Sequence, residues 1–129
     1  METLRAGDGR LGRDGAGRLI IAYQDFSSGS YEVFVRRLEA GSWVEMGSGN
    51  PASGGISATS TYSGTPALGM DPAGNPVVAW GEGAVNQQNA SRLYVRTWLS
   101  GVWSELGGAS ASGDGIASAT YLGDPRLVV

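Results

Sequence analysis

The heptapeptide V-W-S-E-L-G-G at Val102 to Gly108 has an earlier counterpart, S-W-V-E-M-G-S at Ser42 to Ser48. Trp43 answers Trp103, Glu45 answers Glu105 and Gly47 answers Gly107, each sixty positions further on. A period of this length restricts the chain to repeat architectures, in which each unit buries its apolar surface only against a neighbour. The repeat runs upstream as well. L-G-R-D-G-A-G at Leu11 to Gly17 matches L-G-M-D-P-A-G at Leu68 to Gly74, here at a step of fifty-seven.

Each D-x-x-G is a turn signal, because Asp bonds backbone two residues on, Pro presets φ and Gly supplies positive φ. A calcium loop would need further carboxylates at alternate positions, so the motif reads as a hairpin corner. A strand follows each corner. R-L-I-I-A-Y-Q-D (Arg18 to Asp25) answers P-V-V-A-W-G-E (Pro76 to Glu82), and the lack of strict alternation predicts strands buried on both faces. A polar loop, longer by three residues in the second copy, accounts for the change of step from fifty-seven to sixty.

Y-E-V-F-V-R-R-L (Tyr31 to Leu38) and S-R-L-Y-V-R-T-W (Ser91 to Trp98) form the next pair of strands. Ala40-Gly41 and Ser100-Gly101 are two-residue hairpin turns leading into the short W-x-E strand. Beyond lies a loop rich in small residues, Gly55 to Pro66 in one copy and Gly115 to Pro125 in the other. Arg10 to Arg13, Pro66 to Met70 and Pro125 to Val129 are three copies of a strand that two units need only twice.

No segment carries the i, i+3, i+4 apolar pattern over three turns, so an all-β fold without helices is expected. Four-stranded antiparallel units of this length, placed radially, make β-propeller blades. Residues 1–65 would form one blade with its connection, 66–124 a second, and 125–129 an extra first strand that either completes a neighbouring chain's blade or marks a piece cut from a longer array. Two blades cannot close a ring, since propellers carry about 4–8. The chain is therefore expected to associate head to tail with itself. Three chains would make six blades, the favoured count, and four would make eight.

Composition narrows the function. Gly makes up 22 of 129 residues against an average of about 7%, which calls for many turns. Net charge is −3 with no basic run, so nucleic acid is not an expected partner. Without Cys or His, the chain lacks thiolate chemistry and the commonest metal ligand and general base, and no cofactor or metal is expected. No run of eighteen apolar residues spans a membrane. The N-terminus lacks the apolar core of a signal peptide, which fits a cytoplasmic chain and equally an excised piece of a secreted one. Asn89-Ala90-Ser91 matches the N-glycosylation triplet and reads as chance in a polar loop.

The stretch from Pro66 to Gly108 resembles bacterial β-propeller repeats of the kelch-like and lectin-like kind. W-S-E-L-G-G is similar to the W-x-x-L-G-G end of seven-bladed bacterial lectins. The Asp corner resembles the sialidase Asp-box, without its Ser and Thr. Small lectins with two blades per chain that trimerise are also similar in length. This resemblance implies saccharide binding at blade junctions through an Arg, a Glu and a Trp.

Five residues are the candidates for ligand binding. Trp98 stands where the first unit has Leu38, so it is less tied to the repeat than Trp43 and Trp103, whose motif position favours packing. Arg36 and Arg96 could fork onto sugar hydroxyls or a carboxylate, against a preferred reading as ion pairs with Glu45 and Glu105. Asp25 and Glu82 end their strands near a loop rim and are expected to be exposed carboxylates. Tyr23 and Trp80 read as core. No catalytic residue is identified, because nucleophile–base pairs lack His and no compact arginine cluster accompanies Tyr62 and Tyr121. The expected function is a non-catalytic, lectin-like binding module. A structural or engineered propeller piece without a ligand is the alternative, and a sialidase-like hydrolase a remote one.

Overall fold

The computed structural model describes residues 6–26, 31–47, 55–57, 63–83, 90–112 and 115–122. These residues form an all-β structure of two antiparallel sheets with no helix. Sheet 1 is the meander β1 (Ala6–Arg13), β2 (Leu19–Asp25), β3 (Glu32–Glu39) and β4 (Ser42–Glu45). Sheet 2 repeats it with β5 (Ser63–Met70), β6 (Pro76–Glu82), β7 (Ala90–Leu99) and β8 (Val102–Glu105), and adds β9 (Ala117–Leu122) against β7.

The turns form as their residues dictate. Asp14 Oδ1 accepts the Ala16 and Arg18 N–H groups at 3.0 and 2.9 Å, and Asp71 Oδ1 accepts those of Ala73 and Asn75 at 2.9 and 2.8 Å. Each Asp thus closes its corner through its own side chain. At the hairpin tips Ala40 and Gly41 have φ of 49° and 83°, and Ser100 and Gly101 have 51° and 83°. Two consecutive positive φ values match the right-handed twist of the flanking strands.

Register assigns the faces. Ala22 pairs with Val35 and Ile20 with Arg37, while Tyr23 pairs with Phe34 and Ile21 with Arg36. Paired side chains share a face and neighbours alternate. One face of sheet 1 therefore carries Ile20, Ala22, Val33 and Val35. It packs on the face of sheet 2 that carries Val78, Trp80 and Tyr94, with Met46 and Ile56 completing the core. The contact is heterologous. In the repeat, Val78, Trp80 and Tyr94 answer Ile21, Tyr23 and Phe34, on the opposite face of sheet 1 from the one that sheet 2 covers.

β1 lies against β5, and the two Asp corners meet there, with the Gly15 N–H donating to the Gly74 carbonyl at 3.1 Å. Trp103 reaches across to donate its indole N–H to the Met46 carbonyl at 3.1 Å. Gly47 lets the ring in. A Cβ there would stand 2.7 Å from Trp103 Cδ1.

Two readings change. Ala117–Leu122, expected as loop, is strand β9. β8 pairs only with residues 96–99 of β7, which leaves the N-terminal part of that edge to bond with β9 at Ala90 and Arg92. In the first unit the Ile56 and Ser63 N–H groups serve β3 similarly, bonding the Val33 and Tyr31 carbonyls. The β2 strand, expected buried on both faces, buries Ile20 and Ala22 and leaves the alternate residues half-buried. Among the described residues no second sheet covers that side. β6 matches the expectation, with both of its faces largely buried. The third first-strand copy, Pro125 to Val129, lies outside the described residues, and the side chains of Tyr62 and Tyr121 lie outside what is described.

Gly74 and Gly17 both have left-handed φ, +84° and +81°, yet a Cβ on Gly74 would lie 2.4 Å from Gly15 Cα while one on Gly17 meets nothing. Chemical denaturation of Gly17→Ala should show a loss of about 1 kcal/mol. Gly74→Ala should lose about 3 kcal/mol or more, since backbone must move as well.

Candidate functional site

The five candidate residues fall in different places. Arg36 is on the outer face of sheet 1, where its Nε donates to Glu45 Oε1 at 2.8 Å and its guanidinium sits 5.9 Å from the Tyr23 ring centroid. Burial works against the charge of Arg36, but Tyr23 and Glu45 outweigh it and hold the guanidinium firmly protonated. Burial likewise pushes the Tyr23 hydroxyl above its ordinary value, with Glu45 adding to the effect and Arg36 opposing it.

Glu82 is 1% exposed and so is not a rim carboxylate. It accepts the Trp80 indole N–H at 2.8 Å and the Ser63 hydroxyl, which makes it a buried clamp between β5 and β6. Trp80 drives this arrangement: it is fully buried, and a buried indole N–H needs an acceptor. Asp25, its counterpart, is half-buried at the end of β2, in register with Glu32.

Trp98 packs edge-on against Trp103, with ring centroids 5.3 Å apart. It lines a shallow cleft of about 360 Å³ shared with Asp14, Arg18, Arg37 and Asn75. Burial acts to raise the Asp14 carboxyl, but bonds from the Arg18 backbone and guanidinium and from Ala16 outweigh it and hold it below the ordinary value. Arg18 Nε sits 2.9 Å from Asp14 Oδ2.

Arg96 lies in a second cleft, of about 450 Å³, where the two sheets meet. Its walls are Gly47, Gly55 and Ile56 from the first unit and Arg96, Val102 and Trp103 from the second. Glu105 is the register partner of Arg96, as Glu45 is of Arg36. Yet Glu105 Oε1 accepts the Ala111 N–H at 3.0 Å, and Arg96 Nε is buried with no hydrogen-bond partner. The expected ion pair therefore forms in the first unit and not in the second.

The structure brings Arg96 together with Trp103 and keeps Arg36, Asp25 and Glu82 away from that cleft. Sequence reasoning assigned Trp103 to packing, and it does pack; its part in the cleft wall depends on the inter-sheet angle, which no repeat pattern encodes. Among the described residues no group of three or more acidic, His or Cys side chains is placed to hold a metal. Comparison with protein-family models, curated proteins and solved structures gives no match.

Two outcomes are expected. Asp14 has a lowered pKa in the fold, so its stabilisation is complete above about pH 4, the unfolded value, and is lost as pH falls through the folded one. Urea midpoints measured from pH 5 to pH 2 should therefore fall less steeply for Asp14→Asn than for the unaltered protein. Glu82→Ala should cost about 1–3 kcal/mol in the same assay at pH 7 through the orphaned Trp80 N–H, with Glu82→Gln recovering part of it.

Proposed function

We propose that this chain is a non-catalytic, lectin-like binding module that closes a β-propeller ring with copies of itself and takes saccharides where neighbouring sheets meet. One observation carries the assembly. Met46 and Ile56 are 4% exposed each, whereas their repeat counterparts Leu106 and Ile116 are 45% and 57% exposed. Sheet 2 covers the first pair, and nothing among the described residues covers the second. On the other flank Trp43, the counterpart of Trp103, is 44% exposed, and Leu11 is bare as well.

The glycines agree. Gly47 is occupied by Trp103, while a Cβ on Gly107 would meet nothing within 4 Å. The two flanks are thus the two halves of the interface already formed inside the chain. A copy docked head to tail would seat Trp43 on Gly107 as Trp103 sits on Gly47. Such a contact closes into a ring when the rotation allows it, three chains giving six blades and four giving eight.

Binding is supported by the cleft at the internal junction. An aromatic ring and a fork of donors at the meeting of two sheets suit a pyranose, whose apolar face stacks while its hydroxyls bond. A ring would repeat such clefts and raise avidity without new contacts. The second reading, a structural propeller without ligand, draws on the internal use of Arg36 by Glu45 and of the Trp103 indole N–H by Met46.

Native mass spectrometry should find three chains, or four, in one particle. Trp43→Ala and Ile116→Glu should each reduce it to single chains. A stable monomer of the unaltered protein would overturn the assembly. On a glycan array the assembled protein should bind, and Trp98→Ala, which removes the ring that steadies Trp103, should weaken binding about tenfold. Silence of an intact ring across all glycans would favour the structural reading.

A further inference from the structure

We infer that the cleft between the two sheets selects acidic saccharides, taking the carboxylate of a uronic acid onto Arg96 while the sugar ring lies against Trp103. The inference rests on the saccharide-binding reading and adds the charge of the ligand. The repeat supplies its own control. Arg36 and Arg96 occupy the same register position, each opposite a glutamate. Arg36 is neutralised by Glu45 at 2.8 Å.

Arg96 is in no ion pair with any described residue, and its Nε–H is sealed from solvent without an acceptor. The glutamate that would neutralise it is committed to the Ala111 N–H. A guanidinium so placed has no ion-pair or hydrogen-bond partner among the described residues, in a partly desolvated cleft where an anion gains more than it would in water. A planar carboxylate matches its paired donors.

The rest of the cleft wall is apolar or backbone: Gly47, Gly55, Ile56 and Val102 offer no competing carboxylate. A neutral sugar would leave the charge uncompensated. A bare small anion would use the charge and leave the Trp103 face and most of the 450 Å³ empty. A pyranose carrying a carboxylate satisfies both.

The test is calorimetric titration of the full-length, assembled protein with methyl glucuronide and methyl galacturonide, their neutral parents methyl glucoside and methyl galactoside, and acetate. The side-chain Nε–H resonance of Arg96 is followed in parallel by NMR. A uronide should bind about tenfold or more tighter than its neutral parent and tighter than acetate, and should shift the Arg96 resonance. Arg96→Gln should abolish the preference with the particle mass unchanged, and Arg96→Lys should restore part of it.

Equal binding of uronide and parent overturns the acidic selectivity and leaves the saccharide reading standing. Acetate as tight as the uronides, with the neutral sugars inert, overturns the saccharide reading and with it this inference. Tight uronide binding that leaves the Arg96 resonance unmoved overturns the assignment to this cleft, and does so on the unaltered protein, independently of how the variants fold.

Discussion

The packing of one sheet face on the dissimilar face of its repeat is the contact on which the rest depends. Ile20, Ala22, Val33 and Val35 are fully buried in the cluster they form with Val78, Trp80 and Tyr94. Trp80 in turn fixes Glu82, and Glu82 fixes Ser63 at the start of β5. Because the two faces differ, the contact is directional, and among the described residues one face of each kind has no sheet over it. Buried aliphatic side chains contribute about 1.5–3 kcal/mol each. Leaving Leu106 and Ile116 bare while Met46 and Ile56 are covered is therefore an imbalance of several kcal/mol within one chain.

Backbone pairing imposes a second constraint. The short outer strands β4 and β8 each cover only four residues of their neighbour. The remaining edge of β3 and β7 would carry unpaired N–H and C=O groups, a template for unwanted strand addition. The segment after each outer strand turns back along that edge. Gly55 and Gly115 make the approach possible, since a Cβ at either would lie 2.2 Å from a carbonyl oxygen of β3 or β7. The connection between sheets is thus part of the sheet.

The fold was legible wherever a residue's own chemistry set its conformation. Asp14 and Asp71 close corners through their side chains, and Ala40-Gly41 and Ser100-Gly101 take the left-handed φ that a two-residue hairpin requires. β9 was not legible, because Ala117–Leu122 forms a strand in response to an edge that β8 leaves open, a non-local cause. Glu82 was misjudged for a related reason. A carboxylate at a strand end looks solvated until burial of the Trp80 indole, two residues back along the chain, makes that N–H claim it. The candidate cleft was legible in part: Arg96 was singled out, but Trp103, which lines the cleft with it, was assigned to packing, and the two are joined only by the angle between sheets.

The difference between the two arginines carries the functional argument further than either does alone. Their strands, register partners and neighbouring turns are the same in kind, so sequence repetition would give them the same ion pair. What separates them is position: Arg96 stands inside the junction between sheets and Arg36 on an open face. In the open setting the guanidinium folds down onto Tyr23 and Glu45. Inside the junction Glu105 turns to the backbone of Ala111 and the guanidinium is left with its charge. Docking of another copy onto sheet 1 would place Arg36 in the same surroundings as Arg96. In the proposed ring the Arg36–Glu45 pair would be a property of the uncovered flank, and each junction would hold an arginine whose facing glutamate is engaged by backbone.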